Sequence, residues 1–208
     1  MIWLRYIIAI AVAYMLGNVS AGKIVSDRIG HVDITKVGSG NAGTTNVLRT
    51  LGWLPSLLTL AGDIIKAVLA AFMGKAIAGE TGMILSGAAV MIGHIWPVMY
   101  DFKGGKGIAA AFGFIICTDP LIALLLLVEQ VAVIAFTRYM SLASIISCVV
   151  YPLFVTAFHW GDGLRIAVAC IMGALSLFAH RSNIYRLINR EENRLDFKKI
   201  NEISKKKH

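Results

Sequence analysis

Residues Leu121–Phe136 read LIALLLLVEQVAVIAF, a run in which Glu129 is the single charged residue and Gln130 the single uncharged polar one. Such a run suits the hydrocarbon of a bilayer, where a helix satisfies its own backbone hydrogen bonds. Similar runs recur along the chain, whose 208 residues are 57% hydrophobic and only 15% charged. A soluble domain of this length would carry more polar surface. The composition predicts an all-α, polytopic membrane helix bundle.

The apolar runs predict seven transmembrane segments: Trp3–Val19, Trp53–Met73, Gly82–Met99, Ile108–Cys117, Leu121–Phe136, Leu142–Phe158 and Leu164–Ala179. The fourth segment is too short to cross alone, because a helical span needs about 20 residues. We expect the first to be a retained span and not a cleaved signal, since a single basic residue, Arg5, precedes it. We expect one integral membrane domain over residues 1–208, with a basic tail at 181–208.

The basic residues predict the orientation of these segments. If the connections alternate between two sides, 16 of the 20 lysines and arginines fall on one side, nine of them after residue 180. The positive-inside rule makes that side cytoplasmic and places the N-terminus outside. The same side receives the connections 22–52, 100–107 and 137–141, so the polar residues gather on one face. This arrangement favours an enzyme at an interface over a transporter, which needs polar groups at mid-depth.

The first polar motif is KVGSGNAGTTNVLR at residues 36–49. It contains G-x-G-x-x-G, but no strand precedes it, which argues against a dinucleotide-binding fold. We interpret it as a glycine-rich turn entering a helix capped near Thr44 or Thr45, a favourable place for an anion. Asn46 and Arg49 share a helix face, and arginine offers a planar fork for phosphate. The alternative, a juxtamembrane loop with an orienting arginine, leaves the clustered glycines, hydroxyls and amides unexplained.

The second motif is GHIWPVMYDFKGGKG at residues 93–107. Its last five residues hold three glycines and two lysines at the start of an apolar helix, which predicts an anion cradle. It is not a Walker A loop, because Tyr100 and Gly107 stand where that loop needs glycine and a hydroxyl residue. A basic loop anchored to lipid headgroups would explain the lysines but not the glycines.

The third motif is HRSNIYRL at residues 180–187, at the cytoplasmic end of the last segment. His180 and Asn183 share a helix face, although a histidine at a helix C-terminus can be purely structural. Ser141 is expected to cap the sixth segment, and Ser144 to direct its hydroxyl towards a bound phosphate.

Three ionisable residues lie inside predicted spans, where charges are costly and are usually paired or functional. Asp63 and Lys66 are three residues apart and are expected to neutralise each other on one helix face. Glu129 has no evident partner in the sequence.

These three motifs, in this order and on one face, resemble the bacterial acyl-phosphate-dependent glycerol-3-phosphate acyltransferases over nearly the whole chain. The resemblance implies seven spans in the bacterial inner membrane. It also implies transfer of a fatty acyl group from acyl phosphate to the 1-hydroxyl of glycerol 3-phosphate, giving lysophosphatidic acid and phosphate. At matching positions it implies active-site roles for Ser39, Asn41, Arg49, Lys106, Ser144, His180 and Asn183, and a glycerol-3-phosphate loop at Gly104, Gly105 and Gly107. The family usually has a glycine shortly before its acidic residue, whereas this chain reads INREE at residues 188–192.

The motifs and the resemblance together give the expected site. We expect catalytic roles for Ser39, Arg49, Lys106, His180 and Asn183, and substrate contacts from Gly40, Asn41, Thr45, Asn46, Lys103, Gly104, Gly105, Gly107, Ser141 and Ser144. Both substrates carry phosphate, which agrees with two cationic glycine-rich segments. Acyl phosphate already has a good leaving group and needs no covalent nucleophile, and no G-x-S-x-G motif occurs.

The expected partners are acyl phosphate, glycerol 3-phosphate and membrane lipid. We expect a monomer with no metal, no cofactor and no nucleic-acid partner. Two other interpretations stay open. A small phosphate or organophosphate transporter would need more polar groups deep in its spans. A non-catalytic lipid-binding scaffold would explain the basic tail but not the glycine, amide and hydroxyl clusters.

Overall fold

The computed structural model describes residues 1–206, and its regular structure is helical throughout. Within these residues the α-helices are α1 (Ile2–Asn18), α2 (Ala21–Gly30), α3 (Thr44–Leu51), α4 (Trp53–Ile95), α5 (Ile108–Thr118), α6 (Pro120–Thr137), α7 (Met140–Phe158), α8 (Gly163–Ala179), α9 (Arg181–Ile188) and α10 (Phe197–Lys206). A short 3₁₀ turn, Val98–Tyr100, follows α4. The all-α prediction is confirmed.

Several helices are suited to a membrane. Across residues 1–206, four helical stretches are long and apolar enough to cross it: Ile2–Gly30, Trp53–Tyr100, Pro120–Thr137 and Met140–Phe158. The pair α8 and α9, bent by 59°, makes a fifth if it is taken as one span. The predicted count of seven is not confirmed, because α5 has only 11 residues, too few to cross alone, and α8 and α9 pass as a span only when taken together. Exposed leucines and valines along α6 suit contact with lipid.

Helix α4 reverses direction in its middle. Ala78 and Gly79 leave the helical conformation, and Gly79 has a φ of 69°, which glycine adopts without strain. Lys66 Nζ lies 2.8 Å from His94 Nδ1, whereas 28 residues of straight helix would separate them by about 42 Å. The two arms of α4 therefore lie side by side, at the positions of the second and third segments expected from the sequence.

Close contacts between glycines bring α1 against the second arm of α4. A side-chain carbon at Gly17 would lie 2.3 Å from the Val90 carbonyl oxygen, and one at Gly93 would lie 2.2 Å from the Tyr14 carbonyl oxygen. No larger residue fits at either position, so the two backbones touch directly. This contact places the end of α1 beside the polar residues of α4.

The main apolar core lies between α4, α5, α6, α7 and α8, where Met91, Phe114, Leu126, Val155 and Met172 are buried together. The polar connections before α3, before α5 and after α9 meet at one end of this bundle. At the other end, Arg165 of α8 and His159, which follows α7, both contact Asp119, the residue that links α5 to α6. Arg165 Nη1 lies 3.1 Å from Asp119 Oδ1, and His159 bonds the same carboxylate.

Candidate active site

The first glycine segment, residues 38–43, is shaped by one buried amide. Asn46 Oδ1 accepts a hydrogen bond from the Ser39 N–H at 2.9 Å. Its Nδ2 lies 3.1, 3.0 and 3.0 Å from the carbonyl oxygens of Ile34, Val37 and Asn41. Asn46 thereby fixes the turn that carries Ser39 and Asn41. The predicted cap at Thr44 or Thr45 is wrong, because Gly43 occupies the N-cap of α3 and no side chain caps it.

The second glycine segment, residues 104–107, is held against the end of α4. The N–H groups of Gly104 and Gly105 donate to the carbonyl oxygens of Ile95 and His94, at 3.2 and 3.0 Å. A side-chain carbon would lie 2.0 Å from the His94 carbonyl oxygen at Gly104, and 2.1 Å from His94 Nε2 at Gly105. These two glycines allow a close approach to His94. Asn41 Nδ2 donates to the Gly104 carbonyl at 3.3 Å and so joins the two segments.

A buried ionic cluster of Asp63, Lys66 and His94 lies beneath the second glycine segment. Lys66 Nζ is 2.8 Å from Asp63 Oδ1, which confirms the predicted pair, and 2.8 Å from His94 Nδ1. It also donates to the carbonyl oxygens of Gly17 and Val19, at 3.1 and 2.7 Å. His94 Nδ1 also lies 3.5 Å from Asp63 Oδ1, and the Nε2 of the same ring lies beside Gly105.

Both segments border one cavity of about 940 Å³. Side chains before and within α3 line it on one side. The predicted residues on that side are Ser39, Asn41, Thr45, Asn46 and Arg49.

The remaining predicted residues that line the cavity come from later parts of the chain. They come from the second glycine segment, α7 and the α8–α9 junction, and are Lys106, Gly107, Ser141, Ser144, His180 and Asn183. Side chains from distant parts of the sequence are thus brought around one space.

Four predicted contact residues do not line the cavity: Gly40, Lys103, Gly104 and Gly105. Gly40 and Lys103 are exposed to solvent. Gly104 and Gly105 lie behind the lining, against His94. Gly104 and Gly105 therefore support Lys106 and Gly107, which do line the cavity.

Lys106 begins a polar network at the cavity wall. Its ammonium donates to Asn183 Oδ1, and Asn183 Nδ2 donates to both carboxylate oxygens of Glu192, each at 3.1 Å. Arg186 Nε completes the network at 2.9 Å from Glu192 Oε2. Burial lowers the pKa of Lys106 to about 8, with Glu192 opposing the shift. Lys106 is therefore a cation that titrates just above neutral pH.

Arg49 lines the same cavity as Lys106. Its Nη2 donates to the Asn193 carbonyl at 2.8 Å, and burial lowers its pKa, although arginine stays protonated at physiological pH. Arg49 Nε, Thr44 Oγ1 and Ser141 Oγ are buried and have no hydrogen-bond partner among the described residues. All three residues line the cavity. Buried donors of this kind normally have partners, so together they form a site ready for an acceptor-rich group such as phosphate.

The two serines of α7 differ from expectation. Ser141 is not a cap, because α7 begins at Met140 after Tyr139 and has no side-chain cap. Ser144 Oγ instead donates back to the Met140 carbonyl at 3.0 Å, as serines within helices often do. The free hydroxyl of the pair is therefore that of Ser141.

His180 lies at the bend between α8 and α9 and is buried. Its Nδ1 is 2.8 Å from the Ser176 carbonyl, which can only accept, so Nδ1 carries a hydrogen. The Ser176 hydroxyl donates to the Lys106 carbonyl at 2.9 Å and ties α8 to the second glycine segment. In the neutral ring Nε2 is then a hydrogen-bond acceptor.

The sequence alone missed Thr44, Ser176, Arg186 and Glu192 as lining residues. A signal existed for Glu192, because the related family has an acidic residue in this region. Arg190, in the stretch where that family usually has a glycine, adopts a left-handed conformation with a φ of 61°. The chain therefore makes a glycine-like turn without a glycine. Glu129, which has no evident partner in the sequence, bonds the hydroxyl of Ser147.

The cavity is apolar where it extends between the helices. Lining side chains on this side include Phe112 and Ile115 of α5 and Leu127, Val131 and Ile134 of α6. The space therefore joins a polar, cationic end to a lipid-like groove, as an amphiphilic substrate requires.

The comparisons with known proteins agree with this geometry. A family profile described as glycerol-3-phosphate acyltransferase matches residues 7–190. A glycerol-3-phosphate acyltransferase of Thermoanaerobacter sp. (strain X514) is 40% identical over 184 residues, covering 88% of this chain and 92% of the relative. One of Clostridioides difficile (strain 630) is 40% identical over 200 residues, covering 93% and 97%.

Two solved structures are also similar. A crystal structure of PlsY (YgiH), an integral membrane glycerol 3-phosphate acyltransferase, in its glycerol 3-phosphate form has a TM-score of 0.87 and 32% identity, over 94% of this chain and 98% of that one. The lysophosphatidic acid form has a TM-score of 0.84 and 31% identity, over 94% and 97%. The match is to a membrane enzyme, and it does not support the transporter interpretation. The chain is therefore a multi-pass membrane enzyme that belongs to the glycerol-3-phosphate acyltransferase family.

Proposed function

We propose that this acyltransferase takes its acyl group from acyl phosphate and transfers it to the 1-hydroxyl of glycerol 3-phosphate. The products would be lysophosphatidic acid and inorganic phosphate. The observation that carries the proposal is the set of buried, unpartnered donors of Thr44, Arg49 and Ser141 that line one cavity together with Lys106. Two phosphate-bearing substrates need such a cationic space, and the fatty chain needs the apolar groove.

Arg49 and a lysine of the cavity would neutralise the phosphate of the donor, while His180 and Asn183 would orient glycerol 3-phosphate by hydrogen bonds. The hydroxyl oxygen attacks the acyl carbon, and the bond from that carbon to the phosphate oxygen breaks. The related solved structures are described as glycerol 3-phosphate and lysophosphatidic acid forms, which supports this acceptor and product. Every group invoked comes from one chain, so we propose a monomeric enzyme.

The proton of the attacking hydroxyl would pass to the departing phosphate itself. Phosphate monoesters have a second pKa of about 6, so such a group is largely dianionic at neutral pH and grows more basic as it leaves. His180 would then be a hydrogen-bonding residue and not the general base. Burial, together with the charge of Lys106, lowers the pKa of His180 to about 4. If His180 were the base, His180→Gln would therefore lower kcat by roughly 10²–10⁴ and remove an acidic limb at about pH 4. Our scheme expects an acidic limb at about pH 6, set by the phosphate, which the residual activity of His180→Gln keeps, with a raised KM for glycerol 3-phosphate.

The donor is tested with purified protein in lipid, given palmitoyl phosphate and glycerol 3-phosphate. We expect lysophosphatidic acid and phosphate to form in equal amounts, and palmitoyl-CoA to give no comparable turnover. The cavity offers cations and unpartnered donors for a phosphate, as an acyl phosphate donor requires. Turnover with palmitoyl-CoA that matches the acyl phosphate rate would refute the assigned donor.

For topology, we propose seven membrane segments in the bacterial inner membrane, with the N-terminus outside and the C-terminus and the cavity cytoplasmic. The support is the reversal inside α4, which divides it into two antiparallel arms, and the basic residues gathered at one end. In a variant without the three free cysteines, single cysteines replacing the exposed residues Lys36, Lys103 and Glu191 should label from the cytoplasm. A cysteine replacing Glu80 should label from outside. Labelling of positions 36 and 103 from opposite sides would refute the single cytoplasmic site.

A further inference from the structure

The C-terminal helix α10 lies beyond residue 190, where the family match ends. It is nevertheless well anchored to the body of the protein. Trp53 Nε1 donates to Asn201 Oδ1 at 2.8 Å, and the Trp53 N–H donates to Ser204 Oγ at 3.1 Å. The rings of Trp53 and Phe197 are stacked, 6.4 Å apart. This helix is therefore a fixed part of the fold and not a loose tail.

Apolar contacts and the preceding stretch fix the register of α10. Ile200 is buried in a cluster with Leu48 and Leu195, and the Leu195 N–H donates to the Arg138 carbonyl at 2.8 Å. Asp196 Oδ1 accepts from the Lys199 N–H at 3.1 Å at the start of the helix. With Ile200 turned inward, its neighbour Lys199 falls on the rim of the cavity.

Lys199 is exposed, and it lines the cavity together with Arg49, Lys106 and Arg186. Its neighbour Lys198 is equally exposed but does not line the cavity. The two lysines carry the same charge on the same helix and differ in whether they face the substrate space. A cation at the rim of a pocket raises the local concentration of anions and speeds their entry.

We propose that Lys199 is a further substrate-binding residue, which attracts the phosphate of glycerol 3-phosphate at the aqueous mouth of the cavity. The water-soluble substrate is assigned to Lys199 because the rim is open to solvent. The acyl chain of the other substrate instead requires the apolar groove between α5 and α6. The inference rests on the proposed use of the cavity for these two substrates.

The test compares Lys199→Gln and Lys199→Glu with the matched controls Lys198→Gln and Lys198→Glu. We expect Lys199→Gln to raise the KM for glycerol 3-phosphate about three- to fivefold and Lys199→Glu about tenfold or more, the size expected of one screened charge. kcat and the KM for palmitoyl phosphate should stay unchanged. The fall of kcat/KM with added salt should be shallower in Lys199→Gln, because one attracting charge is gone.

Equal effects of the Lys198 and Lys199 variants would overturn the inference, as would an unchanged KM for glycerol 3-phosphate. A raised KM for palmitoyl phosphate alone would overturn the assignment to the soluble substrate. Failure of the proposed function is a separate outcome, because the unaltered protein would then show no turnover of palmitoyl phosphate.

Discussion

The two glycine segments are similar in sequence but are held in place by different kinds of interaction. The neutral amide of Asn46, at most 12 residues from the groups it binds, holds the first segment. The second lies on the buried ionic cluster, in which Lys66 bonds residues 28 and 49 positions away. A local turn can be derived from local sequence, whereas a site built on long-range ionic contacts depends on the whole fold.

Lys66→Met should have the largest effect, because it leaves the buried Asp63 without its ammonium partner. Breaking a buried ion pair from one side costs about 3–5 kcal/mol, and we expect a large fall in Tm in thermal unfolding. The matched control is Lys75→Met in the same arm of α4, whose partner Glu80 is exposed, with an expected cost below about 1 kcal/mol. The double variant Asp63→Asn with Lys66→Met should recover part of the loss. Similar small losses of stability for Lys66→Met and Lys75→Met would mean that the buried ionic cluster stabilises the fold no more than an exposed ion pair does.

Asn46→Ala should damage activity more than stability. Without the amide, Ser39 and Asn41 lose the bonds that fix their turn, and a displacement of about 1 Å can cost about 10²-fold in rate. We expect kcat/KM to fall by about that factor, measured as phosphate release. Asn189→Ala, at an exposed position, is the control and should keep normal activity. Near-normal activity of Asn46→Ala would mean that the first segment holds its shape without Asn46.

Lys106, in the second glycine segment, titrates near pH 8. Arg49, which follows the first glycine segment, stays protonated. Because the pKa of Lys106 is about 8, its charge is present below that pH and is lost above it. We therefore expect kcat/KM to fall about tenfold per pH unit above pH 8. Lys106→Arg should move this alkaline limb to higher pH even if the overall rate falls. The same limb in both proteins would show that another group titrates there.

Gly40→Ala should have the smallest effect. Its φ of 70° disfavours a side chain, but its nearest neighbour would be the Thr35 carbonyl oxygen at 3.2 Å, outside the cavity lining. We expect a stability cost of about 1 kcal/mol and activity within about twofold. Gly163→Ala, where the added carbon meets no atom within 4 Å, controls for the substitution itself. A tenfold loss of activity would instead show that Gly40 contributes to the active site, as the sequence predicted.

Much of the fold followed from hydropathy, since the apolar runs predicted the helical positions to within a few residues. The reversal inside α4, at Ala78 and Gly79, lies between the predicted second and third segments. The exact partners of the site residues could not be predicted. His94 joins Lys66 only when the two arms of α4 fold together, and Glu192 reaches Asn183 through the turn at Arg190. Ser141 and Thr44 were expected to cap helices, as serine and threonine often do. Neither caps a helix, and both line the cavity.

The most direct test of the central claim, that the two glycine segments serve the two phosphates in one cavity, is two-substrate kinetics on Arg49→Lys and Gly105→Ala. Lysine loses the planar fork of Arg49, and a methyl group at Gly105 meets His94 Nε2 and displaces the second segment. We expect Arg49→Lys to raise the KM for palmitoyl phosphate about tenfold and to leave that for glycerol 3-phosphate nearly unchanged. Gly105→Ala should do the reverse. If both variants raised the KM of the same substrate, the division of the two phosphates between the two segments would be contradicted.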